Sequence, residues 1–211
     1  MPRKPAHQNF DALKAIREQA FALFGRFGYE GVSIGDIGRA AKLSKGALYW
    51  HFRNKQQLYL DCQQQLHALF NSYIFDPMRA QGDGVTRILM LFTGMGRLLL
   101  DPRVTKGVAG YWLIPSSPET APIVKAQREF EKACVDTMKE TLRLGVEQGR
   151  FDYKDDLEEM ARAIIALVES VILPMRQQTP EEVHRILGVM ARSLFRAYAT
   201  ADDLLKLTRS L

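Results

Sequence analysis

Cysteine is nearly absent. Cys62 and Cys134 are the only two in 211 residues, and neither belongs to a Cys-x-x-Cys pair or a Cys/His cluster. A disulfide framework and a zinc site are therefore excluded as organising features, and both cysteines read as reduced, helix-packed thiols. Histidine is scarce too. His7, His51, His67 and His184 are scattered, and no nucleophile–base pair, metal triad or phosphate-cradling glycine loop follows from the spacing. The chain is not expected to be an enzyme, and no cofactor or metal is implied. No run of about 18 uninterrupted apolar residues occurs. The opening Met1-Pro2-Arg3-Lys4-Pro5 lacks the apolar stretch that a secretory signal carries behind its basic residues. The expected setting is the cytoplasm, with no membrane partner.

Acidic residues are sparse at one end only. Residues 1–60 hold 10 Lys/Arg against 4 Asp/Glu, whereas residues 61–211 hold 19 against 20. A neutral body with a basic head suits an encounter with polyphosphate, since phosphate neutralisation supplies most sequence-independent affinity for nucleic acid. Sustained alternation of β-branched residues is missing as well. Apolar residues recur at three- and four-residue spacing, so the chain is expected to be all-α with about nine helices. The spacing predicts the first over 10–27, with Leu13, Ile16, Ala20, Leu23, Phe24 and Phe27 on one face and Gly28 and Gly31 ending it. Ser33 caps a short helix to Ala41, answered by Asp36, and Ser44 caps another from Lys45 to His51, anchored by Leu48 and Phe52. A long helix follows over 54–75, which Asp76-Pro77 should end because proline disfavours helix in the residue before it. Further helices are expected over 84–100, 103–113, 119–148, 155–176 and 180–199, the last opened by Thr179-Pro180-Glu181-Glu182.

Two short helices joined by a tight turn, with a longer helix behind them, form a helix-turn-helix whose second short helix enters the major groove of DNA. Tyr49, Trp50 and His51 put three large polar-tipped rings at the end of that helix. Exposed rings there meet phosphate and sugar, and buried ones pack on the first helix. Lys45, Gly46 and Ala47 occupy the turn that faces base edges: Lys45 suits guanine O6 and N7, Ala47 a thymine methyl, and Gly46 close approach. Ser33 either adds a phosphate contact or serves only as a cap.

Ala22-Leu23-Phe24, Gly28-Tyr29, Ser33-Ile34, Asp36-Ile37, Ala40-Ala41, the run from Leu43 to Phe52, and Lys55 together resemble the N-terminal signature of the TetR family of regulators. The resemblance is dense over residues 10–58 and rests afterwards on helical layout alone. It implies a helix-turn-helix DNA-binding domain over 1–56 and a ligand-binding and dimerisation domain over 57–211, with Lys55 meeting backbone phosphate. Two positions depart from the family pattern. Lys42 stands where a turn glycine is usual, so it either adopts a left-handed conformation at some cost or the turn differs. Gly38 replaces a usual alanine, which permits closer helix packing.

In the larger domain, Ile164, Val168 and Val171 on one helix, and Ile186, Met190 and Leu194 on the last long one, resemble the family's dimer-forming pair. The bland reading is an intramolecular core. Met90, Phe92, Met95, Leu99, Tyr111, Trp112, Phe130 and Met138 either line an apolar effector cavity or are plain core. Glu169, a lone carboxylate in an apolar stretch, either meets a polar ligand group or a partner helix. The expected function is a ligand-responsive, sequence-specific regulator. As a homodimer it binds a palindromic double-stranded DNA operator and is released by a hydrophobic small molecule, and repression follows from the resemblance alone. The alternative is a helical lipid carrier or adaptor without DNA control, against which the basic head argues.

Overall fold

A computed structural model describes residues 6–172 and 179–210. The expected all-α fold forms, with ten α-helices among the described residues: α1 Ala6–Phe27, α2 Ile34–Ala40, α3 Lys45–His51, α4 Lys55–Phe70, α5 Asp76–Arg79, α6 Gly84–Leu99, α7 Ala121–Glu147, α8 Leu157–Glu169, α9 Pro180–Tyr198 and α10 Asp202–Lys206. None of them is long and apolar enough to cross a membrane. The predicted helix over 155–176 is α8 followed by a turn to Ile172, and its expected continuation over 173–176 lies outside the described residues. The chain divides into two compact units, Met1–His67 with Pro102–Arg128, and Ala68–Asp101 with Glu129–Leu211.

The first unit is built on α1, whose Ile16, Ala20 and Phe24 are fully buried with Ile37, Leu58, Tyr59 and Cys62. Phe27, expected on that inner face, is instead 51% exposed, and Phe21 is buried in its place. The reason is Tyr111, whose ring lies 5.4 Å from that of Phe21 and whose hydroxyl donates to the Phe21 carbonyl at 3.1 Å. Arg17 clasps Asp61 of α4 with two parallel hydrogen bonds of 3.0 and 2.7 Å, the geometry in which a guanidinium holds a carboxylate best. The helix expected over 103–113 does not form. Residues 102–106 turn, Gly107 takes a φ of 104°, and only Ala109–Trp112 wind into a 3-10 turn. Close approach to α1 decides this: a β-carbon on Gly110 would lie 2.2 Å from the Phe24 carbonyl oxygen, so the segment follows α1's backbone rather than its own helical pattern.

In the second unit the chain does not stop at Asp76-Pro77, as the sequence implied. Asn71–Phe75 form a π-helical turn, in which Asp76 N–H donates to Asn71 O, and α5 continues with Pro77 in its first turn. Proline has no N–H to give the carbonyl four residues back, and in an α-helix its ring presses on that carbonyl. The wider π turn relieves the clash without ending the helix. The carbonyl concerned is that of Tyr73, and α6 meets it with a glycine: a β-carbon on Gly94 would lie 2.3 Å from Tyr73 O. Only a Cα–H fits there. Ile88, Leu91, Met138, Leu142 and Phe195 complete the buried interior.

Gly94→Ala should therefore destabilise the chain by about 1–3 kcal/mol, although alanine gains up to about 1 kcal/mol in helix propensity. Gly82→Ala, with nothing within 4 Å of its β-carbon, is the matched control. Urea midpoints followed by circular dichroism compare the two, and a Gly94→Ala protein as stable as the parent would refute the close approach.

Candidate nucleic-acid interface

The two short helices are defined by their ends. Ser33 and Asp36 form a reciprocal capping box: Asp36 N donates to Ser33 Oγ at 3.2 Å, and Ser33 N donates to Asp36 Oδ2 at 2.8 Å. The Ser33 bonds, with Arg39 close by, hold the Asp36 carboxyl below its ordinary range. α2 ends in a Schellman turn, with Leu43 N donating to Gly38 O at 2.9 Å and Lys42 N to Arg39 O at 3.2 Å. Lys42 takes the left-handed conformation that this turn needs, with a φ of 56°. The other departure from the family pattern supports it. A β-carbon on Gly38 would stand only 3.0 Å from Leu43 O, so glycine lets the turn close tightly. Ser44 then accepts from Ala47 N at 3.2 Å to start α3, and buried Ile37 and Leu48 fix the two helices to the core.

What remains outside is the polar side of α3. Tyr49 is 55% exposed and Trp50 70%, with the Trp50 ring edge-on to His51 at 4.7 Å. Burial, and after it the charge of Arg17, keeps His51 below the ordinary imidazole range, so at neutral pH it offers a neutral hydrogen-bonding ring. Ser33, Lys45, Tyr49 and Lys55 come together on the walls of one open groove of about 420 Å³. Gly46, Ala47, Trp50 and His51 stand on α3 outside those walls, with Gly46 unobstructed beyond the Ser44 hydroxyl. Lys55 is oriented by a residue to which sequence reasoning gave no role. Its Nζ donates to the Tyr29 carbonyl at 3.1 Å and lies 4.0 Å from the centre of the Tyr29 ring. Tyr29 in turn donates its hydroxyl to Glu119 Oε1 at 2.5 Å, and burial first, then that bond, raises its pKa. Gly28-Tyr29 was visible in the motif, whereas nothing local marks Glu119, which lies ninety residues further on.

The residues expected to line an effector site are only partly assembled. Met95 and Glu169 share a small cavity in the second unit, and Phe130 packs edge-on against two of its walls, Phe70 and Phe75. Leu99 and Met138 are buried in that unit, but Tyr111 and Trp112 belong to the first. Of the expected interface residues, Ile164, Val168 and Val171 are buried within their own chain, while Ile186, Met190 and Leu194 stay partly exposed. Leu167 and Val189, half exposed and not singled out from the sequence, share that outer apolar character.

The family model for bacterial regulatory proteins of the tetR family matches residues 16–62, most of the span from α1 to α4. Residues 16–62 are a tetR-family N-terminal domain. The Transposon Tn10 TetC protein of Escherichia coli is 38% identical over 68 residues, which are 32% of this chain and 34% of that protein, so the match spans about a third of that relative's length. A TetR transcriptional regulator from Chloroflexus aurantiacus gives a TM-score of 0.76 at 20% identity, covering 92% of this chain and 100% of that one. SmeT in its triclosan complex gives 0.72 at 23%, covering 92% and 93%. At these identities the structural likeness establishes the TetR fold alone.

A left-handed lysine costs about 1–2 kcal/mol, of which glycine would return part after its own entropy loss. Lys42→Gly should thus stabilise the helix-turn-helix by about 0.5–1 kcal/mol, read as a melting temperature raised by a few degrees. An unchanged or lower melting temperature would contradict the strained turn.

Proposed function

We propose that this protein is a ligand-responsive transcriptional regulator that, as a homodimer, binds a palindromic operator in double-stranded DNA and represses until a hydrophobic small molecule releases it. The observation that carries the reading is the outer side of α3, where exposed Tyr49 and Trp50 stand beside the groove shared by Ser33, Lys45, Tyr49 and Lys55. Large rings left in water at the end of a capped, core-anchored helix serve no packing purpose. Cations and hydroxyls around them match phosphate and base edges. Lys45, Gly46 and Ala47 take the base-reading role, with Tyr49, Trp50, His51, Ser33 and Lys55 positioning the helix on the backbone. The basic head disfavours the alternative, a helical carrier without DNA control, because such a protein has no use for it.

One two-turn helix reads too few bases, so a second copy is needed about 34–36 Å away to read the other half of a palindrome. The half-exposed Leu167 and Val189, with the partly exposed Ile186, Met190 and Leu194, supply an apolar face for that second copy. The effector enters the cavity lined by Met95 and Glu169, and its differential affinity for the two conformations of the dimer shifts DNA affinity.

Selection from genomic fragments followed by footprinting should yield a salt-sensitive palindromic site, and failure to recover any such site would defeat the reading. On that site, Tyr49→Ala should weaken binding about tenfold, and Lys55→Met should lower the slope of affinity against salt by about one ion. Normal binding by both variants would mean that α3 does not face DNA. Leu167→Glu with Val189→Glu should convert the dimer to a folded monomer in sedimentation velocity. A dimer that survives both substitutions would place the interface elsewhere.

A further inference from the structure

Glu169 stands where a carboxylate is costly for three reasons. It is the last residue of α8, the negative end of the helix dipole. It lines a cavity whose other walls are apolar or aromatic apart from the Cys134 thiol, among them Phe70, Phe75 and Met95. The charge of Glu131 on α7 adds a weaker repulsion. Among the described residues no cation pairs with Glu169 and no group donates a hydrogen bond to it. Burial first, and Glu131 second, push its pKa from 4.5 up to about 7. The other titratable neighbours do not offset this. Cys134 on α7 stays a thiol, raised by burial, and Arg79 of α5 acts on Cys134, while α6 and the π turn contribute only apolar residues to the cavity.

We propose that this cavity takes a lipophilic organic cation, an amine or quaternary ammonium joined to an apolar body, with Glu169 as its counter-ion. The proposal rests on the effector reading above and narrows it to one chemical class. The charge of the occupant supplies what the fold withholds from the carboxylate, and the Phe70 and Phe75 rings, braced by Phe130 at 6.0 and 6.4 Å, supply aromatic surface that attracts an ammonium group. An anionic effector meets Glu169 as a like charge, and a neutral one leaves the cost of Glu169 uncompensated. The cavity measures about 10 Å³, room for about one water. Its occupant therefore enters by parting the walls. Met95 adapts readily to such a change. The π turn, which contributes Ile74 and Phe75, is one hydrogen-bond shift from an ordinary helix and is the wall most ready to move.

The test is calorimetric titration of the full-length protein with three probes that share a dodecyl tail, dodecyltrimethylammonium, dodecanol and dodecanoate, each below its micelle concentration. At about pH 8 the ammonium should bind at least about tenfold more tightly than the alcohol, and the carboxylate most weakly. Between about pH 6 and about pH 8 the ammonium's affinity should rise about tenfold as Glu169 ionises. Glu169→Gln should abolish both the preference and the pH dependence while retaining dodecanol binding, which reports an intact cavity. Glu131→Gln should move the pH midpoint downward and keep the preference. Dodecanol or dodecanoate binding as tightly as the ammonium would overturn the cation proposal and leave the effector site standing. No binding by any of the three would overturn both.

Discussion

Tyr29 is the constraint on which the first unit depends. Its ring is 1% exposed, set between Phe24 and Tyr59, yet its two polar groups are both engaged, the carbonyl by Lys55 and the hydroxyl by Glu119. It directly follows Gly28, whose φ of 73° turns the chain out of α1. One residue thereby fixes the exit from α1, the first turn of α4, and the residue two before α7. Helices of seven residues, such as α2 and α3, have no independent stability in water. Their pose within the first unit is inherited from this framework through buried Ile37 and Leu48 rather than generated by their own sequence.

That inheritance explains which features the sequence reveals. Helix starts are legible because capping is local: Ser33 with Asp36, Ser44, and Thr179 with Glu182 each bond as their spacing implies. The recognition helix, bounded by such signals, has the limits expected of it, Lys45–His51. Features decided by distant neighbours were not legible. Residues 103–113 have helical periodicity but run against α1 as turns, because Gly110 approaches the Phe24 carbonyl too closely for any side chain. Pro77 reads as a stop, and a π turn carries the helix past it. Helical spacing left Ile164 and Val168 between a dimer-forming pair and an intramolecular core; both are buried within their own chain, and the exposed position is Leu167. Tyr111 and Trp112 looked like cavity lining because they are aromatic, a property that says nothing about which unit a ring joins.

Two residues forgo stability in ways the fold could have avoided. Lys42 sits left-handed at a position where glycine is unstrained, and Glu169 holds a carboxyl at a helix C-terminus beside Glu131. Nothing among the described residues repays either cost. At Lys42 the cost is a β-carbon held in a left-handed backbone, whereas at Glu169 it is a charge on the wall of an apolar cavity. The stability withheld at Glu169 is what the proposed ammonium occupant would return, so that cost would become part of an affinity. A sequence under pressure for stability alone would place glycine at Lys42 and an apolar residue at Glu169. A carboxyl kept on that apolar wall is the physical argument for the cationic effector proposed above.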